Sequence, residues 1–241
     1  MIVLGQWMWK YYYTRRMSNM GNEISLNVIL VSCENKEGLV ENRNHPELPP
    51  CGILGYIQQK NPNVVFLSSG GTYQLLKRNR FNVIDFEEYT SAPQMKDGLV
   101  KSIDYRIHSS ILAQDFNPED LEFLQKNGLL KIDAVFTNFN RLDTNGVSKI
   151  DTMERLEEYR NRIDLGGPLM CMSSRKGFLN TILLTDPNDY KALIDDLNKN
   201  DDKCSLPFRI KMLKKSSAIL DEYNASINKL FTLIDESIKM G

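Results

Sequence analysis

Signals for metal binding and for membrane insertion are scarce in this 241-residue chain. It contains only two histidines, and no two of its four cysteines, at positions 33, 51, 171 and 204, share a CxxC spacing. Zinc sites use closely spaced Cys and His ligands, so we expect no metal site and reduced thiols. No apolar run approaches the ~20 residues that span a bilayer, so we expect no membrane partner.

Net charge is also nearly absent. Lys and Arg together number 30 and Asp and Glu 31, which gives a formal net charge of −1. A chain without a basic field is not drawn to nucleic acid, so any phosphate site must come from local geometry. The composition, 41% apolar and 25% charged, is that of an ordinary globular protein, and we expect a cytoplasmic location.

The N-terminal stretch is rich in aromatic residues. It contains Trp7, Trp9 and Tyr11–Tyr13, but it lacks the apolar core of a secretory signal. We expect residues 1–24 to form an extension that is peripheral, disordered or packed on a partner.

Short apolar runs rich in β-branched residues alternate with helical patterns beyond this extension. The runs predict five buried strands, at 26–31, 64–67, 81–86, 131–137 and 181–185. Helical patterns lie between them, at 120–126, 152–162 and 188–197. This alternation predicts an α/β fold of three layers, a parallel sheet with helices on both faces.

Two segments depart from that alternation. The prolines between Gly38 and Val64 predict an inserted loop over residues 42–51. Apolar residues at helical intervals from Leu206 to Ile238 predict one or two helices, lying over the domain or in a dimer contact. We therefore expect a main domain over 25–200 and a C-terminal helical appendage over 201–241.

Polar residues follow several predicted strands, where ligands of parallel sheets bind. Ser69-Gly70-Gly71-Thr72 combines hydroxyl donors, a flexible backbone and a helix start, which predicts a phosphate cradle. A plain turn is the alternative. Lys36 follows the first strand and would add charge, although a solvated surface lysine is the alternative.

Two further segments carry groups suited to catalysis. Lys101 lies near apolar Leu99 and Val100, which indicates a directed side chain. Asp164 precedes two glycines at a helix start, so its carboxylate could act as a base beside N–H groups that stabilise negative charge. A helix N-cap is the alternative for Asp164, and a helix-dipole partner is the alternative for Lys176. His108 is either functional or a hydrogen-bonded helix residue.

The order of these motifs resembles one known family. The segments are Ser32–Glu41, Ser69–Thr72, Gly98–Lys101, Ile107–Ala113, Ile163–Gly167 and Asp186–Tyr190. Over about residues 25–235 the chain resembles IMP cyclohydrolase, one half of the bifunctional enzyme that completes purine synthesis. The resemblance implies a methylglyoxal-synthase-like fold, a purine-type ribonucleotide monophosphate ligand, a homodimer and no cofactor. We find no counterpart of the transformylase half and expect no formyl-folate chemistry.

The resemblance also implies roles by position. The catalytic set comprises Lys101, Asp164 and Lys176, the backbone donors Leu165 and Gly166, and Asn140, which stands where the family has a catalytic tyrosine. The nucleotide and phosphate contacts are Ser32, Lys36, Ser69, Gly70, Gly71, Thr72, Ser102 and Asn138.

Three departures from the family pattern affect the expected function. Leu99 replaces a phosphate-binding arginine, Asp104-Tyr105 replaces His-Pro, and Asn140 lacks the phenol proton of tyrosine. The resemblance implies ring closure of a formylated aminoimidazole carboxamide ribotide, or of a closely related ribotide. The alternative is a non-catalytic, regulatory nucleotide-binding module, a use of this fold that carbamoyl phosphate synthetase exemplifies.

Overall fold

The computed structural model describes residues 23–93, 95, 99–139, 142, 150 and 152–239. Within these residues one parallel sheet contains β2 (Val28–Cys33), β3 (Val65–Ser68), β4 (Val83–Asp85), β5 (Ala134–Asn138) and β6 (Ile182–Leu184). The strand order is β4-β3-β2-β5-β6. A separate antiparallel ribbon pairs β1 (Ile24–Ser25) with β7 (Lys203–Cys204).

Helices fill most of the connections between the strands. In chain order they are α1 (Gly52–Lys60), α2 (Gly70–Arg78), α3 (Phe86–Thr90), α4 (Tyr105–Leu112), α5 (Pro118–Lys126), α6 (Met153–Arg162), α7 (Gly166–Lys176), α8 (Tyr190–Lys199) and α9 (Leu206–Lys239). A short 3₁₀ turn, Pro187–Asp189, precedes α8.

The sheet is buried on both faces. Ile29 and Val31 of β2 belong to one apolar cluster, which includes residues of α1, α8 and the start of α9. Val28 and Leu30, which point the other way, belong to a second cluster with residues of α4 and α7. Burial on both faces explains why these strands are continuous apolar runs and do not alternate with polar residues.

The predicted fold class is confirmed as a three-layer α/β domain with a methylglyoxal-synthase-like fold. The five predicted strands are present, shifted or shortened by one to three residues at their ends. Residues 42–51 form a loop, as expected, but helix α1 and the β1–β7 ribbon were not predicted. Most of the predicted N-terminal extension, residues 1–22, lies outside the described residues.

The C-terminal appendage is a single helix, α9. Its first turns add Phe208 and Met212 to the main core, and its middle forms a third cluster with α6 through Tyr159, Leu220 and Tyr223. Buried Arg209 donates to the carbonyls of Phe178, Leu179 and Cys204 and so ties α9 to the end of α7. In the described part of the chain, no helix combines the length and apolarity of a membrane span.

Candidate active site

The strand order places a crevice between β2 and β5. The chain leaves β2 toward β3 on one side and leaves β5 toward β6 on the other, and ligands of such sheets bind where the order reverses. Ser32 pairs in register with Thr137, and Cys33 pairs with Asn138, so the segments after both strands meet here.

The predicted phosphate cradle lies at the N-terminus of α2. Gly70 has a φ of +55°, a left-handed conformation that glycine adopts without strain. A Cβ built on Gly70 would lie 3.2 Å from Nζ of Lys101, and one built on Gly71 would lie 3.8 Å from Cε of Lys36. Ser69, the N-cap residue, makes no side-chain capping bond to the described helix. Two lysines therefore converge on a helix start, an arrangement that favours anions.

Asp164 lies in the short connection between α6 and α7. The N–H of Gly167, in the first turn of α7, donates to its Oδ1 at 3.2 Å. Burial raises the pKa of Asp164, while the amides of Gly167 and Gly166 and the charge of Lys101 oppose the rise. The carboxyl group is thus shifted toward the protonation range in which a proton-transfer group works.

Lys101 reaches both groups from a tight turn before α4. Val100, just before it, has a φ of +67°, which is a strained conformation for a β-branched residue. Ser102 packs so closely on α7 that a Cβ at Gly166 would overlap its Oγ. The ammonium group of Lys101 is therefore close to Gly70 at the start of α2, and its charge lowers the pKa of the Asp164 carboxyl.

His108 links α7 to the Lys101–Ser102 turn by hydrogen bonds. Its Nδ1 lies 2.8 Å from Oγ of Ser173. Burial lowers its pKa, and the carbonyl of Ser102 opposes that effect as a hydrogen-bond acceptor. These contacts favour the alternative of a hydrogen-bonded helix residue.

Two predicted nucleotide contacts bind the protein's own backbone. The hydroxyl of Thr72 donates to the carbonyl of Cys33 at 3.0 Å. The Asn138 amide accepts from the N–H of Asn35 at 2.7 Å and donates to its carbonyl at 2.9 Å. Both side chains hold the segment that carries Lys36, so the structure gives them a supporting position and does not direct them at a ligand.

Lys176 does not join the cluster within this chain. It is exposed at the C-terminal end of α7, ten residues after Gly166. At 1.5 Å per residue, the two Cα positions lie about 15 Å apart along the helix axis. The placement therefore does not support a catalytic role of Lys176 beside Asp164 of the same chain.

The structure places only one of the two predicted backbone donors, Gly166, at the Asp164 carboxyl. Gly166 and Gly167, and not Leu165, direct amides at the Asp164 carboxyl. Leu165 is the N-cap residue of α7, and its side chain is exposed. Asn140 lies outside the described residues.

Three neighbours of Asp164 were not predicted from the sequence. The hydroxyl of Tyr223 on α9 contacts the Asp164 backbone, the ring of Phe139 packs at Gly167, and Glu34 raises the pKa of Asp164 by its charge. Glu34 and Phe139 also line a cleft of about 220 Å³ that extends to Asp186. No local pattern could have indicated Tyr223, because 59 residues separate it from Asp164.

The site combines a helix start that favours anions with a half-buried carboxyl, in an α/β domain whose sequence is similar to those of known proteins. The chain is 36% identical over 178 residues to the bifunctional purine biosynthesis protein PurH of Clostridium botulinum (strain Langeland), covering 72% of this chain and 34% of that protein. It is 32% identical over 203 residues to PurH of Clostridium kluyveri, covering 84% of this chain and 37% of that protein. The chain therefore spans about a third of the length of these curated relatives. It is a PurH-like domain that corresponds to one part of the bifunctional proteins.

A solved structure supports the fold independently. The crystal structure of ForH matches with a TM-score of 0.67 and 23% identity, covering 86% of this chain and 99% of that one. No protein-family model matches the chain.

Proposed function

We propose that this domain binds a purine-type ribonucleotide monophosphate and closes the pyrimidine ring of a formylated aminoimidazole carboxamide ribotide, or of a closely related ribotide. The observation that carries the proposal is the position of Lys101, which is close to Gly70 at the start of α2 and whose charge lowers the pKa of the half-buried Asp164 carboxyl. One end of this site suits a phosphate and the other suits proton transfer.

The phosphate would bind at the start of α2. The backbone N–H groups of its first turn have no partners inside the helix, and the helix dipole favours an anion there. The ammonium groups of Lys36 and Lys101 supply two positive charges, which match the charge of a phosphate monoester near neutral pH.

The ring closure needs positioning and proton transfer. The carboxamide nitrogen attacks the formyl carbon, forming a C–N bond while the formyl oxygen becomes a hydroxyl. Asp164 accepts the proton that the nitrogen loses, and Lys101 stabilises negative charge on the oxygen. The oxygen takes up a proton from solvent and becomes the hydroxyl. Asp164 then returns its proton to this hydroxyl, and cleavage of the C–O bond releases water. The formylamino nitrogen loses its proton to solvent as the C=N bond of the ring forms. Because the reaction is intramolecular, holding the two groups together supplies much of the acceleration.

The test is ring closure by the purified protein, followed by absorbance and by chromatography of the product. We expect the formylated ribotide to be converted to IMP by the wild-type protein and not by Asp164→Asn. Conversion at the uncatalysed rate by the wild type, with purine monophosphates still bound, would refute the enzymatic part of the proposal.

The second candidate is a non-catalytic nucleotide-binding module. One observation favours it, since the first-turn amide of Gly167 that could stabilise negative charge is already bonded to Asp164. Calorimetry separates the two functions, because the module binds IMP without turning over the ribotide.

The proposal includes a homodimer. Leu165 and Met172 are 58% and 56% exposed, and their seven-residue spacing places them on one face of α7 with exposed Leu179 beyond its end. Covering this apolar face with a second copy would stabilise the assembly. Sedimentation velocity measures the oligomeric state directly.

A further inference from the structure

Tyr223 contacts Asp164 in an unusual way, since one hydroxyl serves both backbone groups of a single residue. The N–H of Asp164 donates to the Tyr223 oxygen at 2.6 Å, and the same hydroxyl donates to the Asp164 carbonyl at 3.0 Å. Asp164 lies between the last residue of α6 and the first residue of α7. A side chain from α9 thus satisfies both backbone hydrogen-bonding groups of a residue in the connection between α6 and α7.

The Tyr223 ring is itself held firmly. It is 2% exposed and lies edge-on to Phe139, with ring centroids 4.9 Å apart and an interplanar angle of 69°. Phe139 in turn packs against Gly167, where a Cβ would lie 2.8 Å from Cδ1 of that ring. Gly167 donates to the Asp164 carboxylate. The backbone and the carboxylate of Asp164 are therefore fixed by one connected set of contacts.

We infer that Tyr223 is a positioning residue, which fixes the peptide of Asp164 and thereby aims its carboxylate at the reacting end of the site. This inference rests on the proposed function, and it assigns the C-terminal helix a part in catalysis through Asp164.

The charged and titratable groups around Asp164 come from several elements. Lys101 precedes α4, Glu34 follows β2, Cys171 lies on α7 and Tyr223 lies on α9. Removing the Tyr223 hydroxyl leaves the first three in place but frees the Asp164 peptide. The carboxyl group then gains water, so the pKa that burial raised falls back toward its ordinary value.

The test compares Tyr223→Phe with a matched control, Tyr159→Phe. Tyr159 is buried in the same cluster and its ring is covered by Arg162, whereas the two bonds to the Asp164 backbone are made by the Tyr223 hydroxyl. We expect Tyr223→Phe to lower kcat for ring closure by roughly 10- to 100-fold, as displacement of a reacting group does, with KM nearly unchanged. The acid limb of the kcat–pH profile should move to lower pH, and Tyr159→Phe should resemble the wild type in both measurements.

A second readout does not require turnover. Carbon-13 NMR follows the titration of the Asp164 carboxyl, which is assigned by its absence in Asp164→Asn. A lower titration midpoint in Tyr223→Phe, and not in Tyr159→Phe, supports the inference. If the wild type at the same time turns over no ribotide, only the proposed function fails. An unchanged midpoint and kcat in folded Tyr223→Phe overturn the inference while wild-type activity upholds the proposed function. A lower melting temperature alone, with kcat per folded molecule and the pH profile unchanged, also overturns it, because that is the result of a purely structural role.

Discussion

Replacing Gly166 by alanine should disturb the contact between α7 and the turn that carries Lys101 and Ser102. A Cβ at this position would overlap Oγ of Ser102, whereas Cβ of Ser102 would lie 3.6 Å away at an ordinary contact distance. Ser102 is only 6% exposed, so its hydroxyl cannot simply turn into solvent. Either the hydroxyl rotates within a packed space or the whole Lys101–Ser102 turn moves away from α7.

Both responses cost stability, and the second also costs activity. Extra atoms in a packed interior destabilise by about 1–3 kcal/mol. If the turn moves, Lys101 moves with it, and a shift approaching 1 Å in a reacting group lowers the rate by up to about 10²-fold. We therefore expect Gly166→Ala to unfold at lower urea concentration and to close the ring at least tenfold more slowly.

Ser102→Ala provides the decisive second change, because it removes only the overlapping atom. The Gly166→Ala/Ser102→Ala double variant should recover most of the stability that Gly166→Ala loses, giving a coupling energy near 1 kcal/mol or more in the cycle. Gly71→Ala is the control for a glycine at a helix start, since a Cβ there lies 3.8 Å from its nearest neighbour, on Lys36. It should fold as stably as the wild type. Additive effects of Gly166→Ala and Ser102→Ala would show that the two residues are not in contact, and the reasoning would fail.

Three further predictions concern charge and assembly. Lys36→Ala should weaken IMP binding by the ~1.5–3 kcal/mol of a charge-assisted hydrogen bond and leave the weaker inosine binding unchanged; equal losses for both ligands in calorimetry would contradict a phosphate contact. Asp164→Asn should lower ring closure by ~10²–10⁴-fold. The pKa of Asp164 is raised in the folded protein, so its contribution to stability is present at acid pH and is lost as the pH rises through that pKa. Asp164→Asn should therefore be more stable than the wild type at pH 7. This advantage should disappear on acidification. Met172→Glu should give monomers in sedimentation velocity, and a persistent dimer would place the interface elsewhere.

Local sequence patterns were sufficient to predict the sheet, and they indicated some of the residues that the structure brings together at the start of α2. The five strands were recognisable because central parallel strands are buried on both faces and so read as continuous apolar runs. Gly70, Gly71 and Lys36 were predicted as one cradle because residues that follow parallel strands share one edge of the sheet. The loop over residues 42–51 was predicted, but helix α1 directly after it was not, because it lies inside a Pro-rich stretch; its apolar residues Ile53, Leu54 and Ile57 are buried.

Residue type predicted a hydrogen-bonding capacity but not the partner. Thr72 and Asn138 have the donors that a nucleotide site needs, yet they bond to the backbone of Cys33 and Asn35. Lys176 is close to Asp164 in sequence, but a helix converts that separation into distance along its axis. Tyr223 is the reverse case, since it is remote from Asp164 in sequence but lies against the Asp164 peptide because α9 packs there.

The structure also separates two of the departures from the cyclohydrolase pattern, one that serves the fold and one that affects phosphate binding. Asp104 caps α4, with its Oδ1 accepting from the N–H of Arg106 at 2.8 Å, and its other oxygen pairs with the Arg106 guanidinium. The replacement of His-Pro is therefore accounted for by a stable helix start and does not by itself indicate a different substrate. Leu99 is different, because it is 50% exposed and adds no charge, which leaves Lys36 and Lys101 as the lysines that converge on Gly70 and Gly71. The missing positive charge at position 99 should therefore lower the affinity for the phosphate group of a ligand. Leu99→Arg should raise the affinity for IMP and leave the affinity for inosine unchanged, as measured by calorimetry.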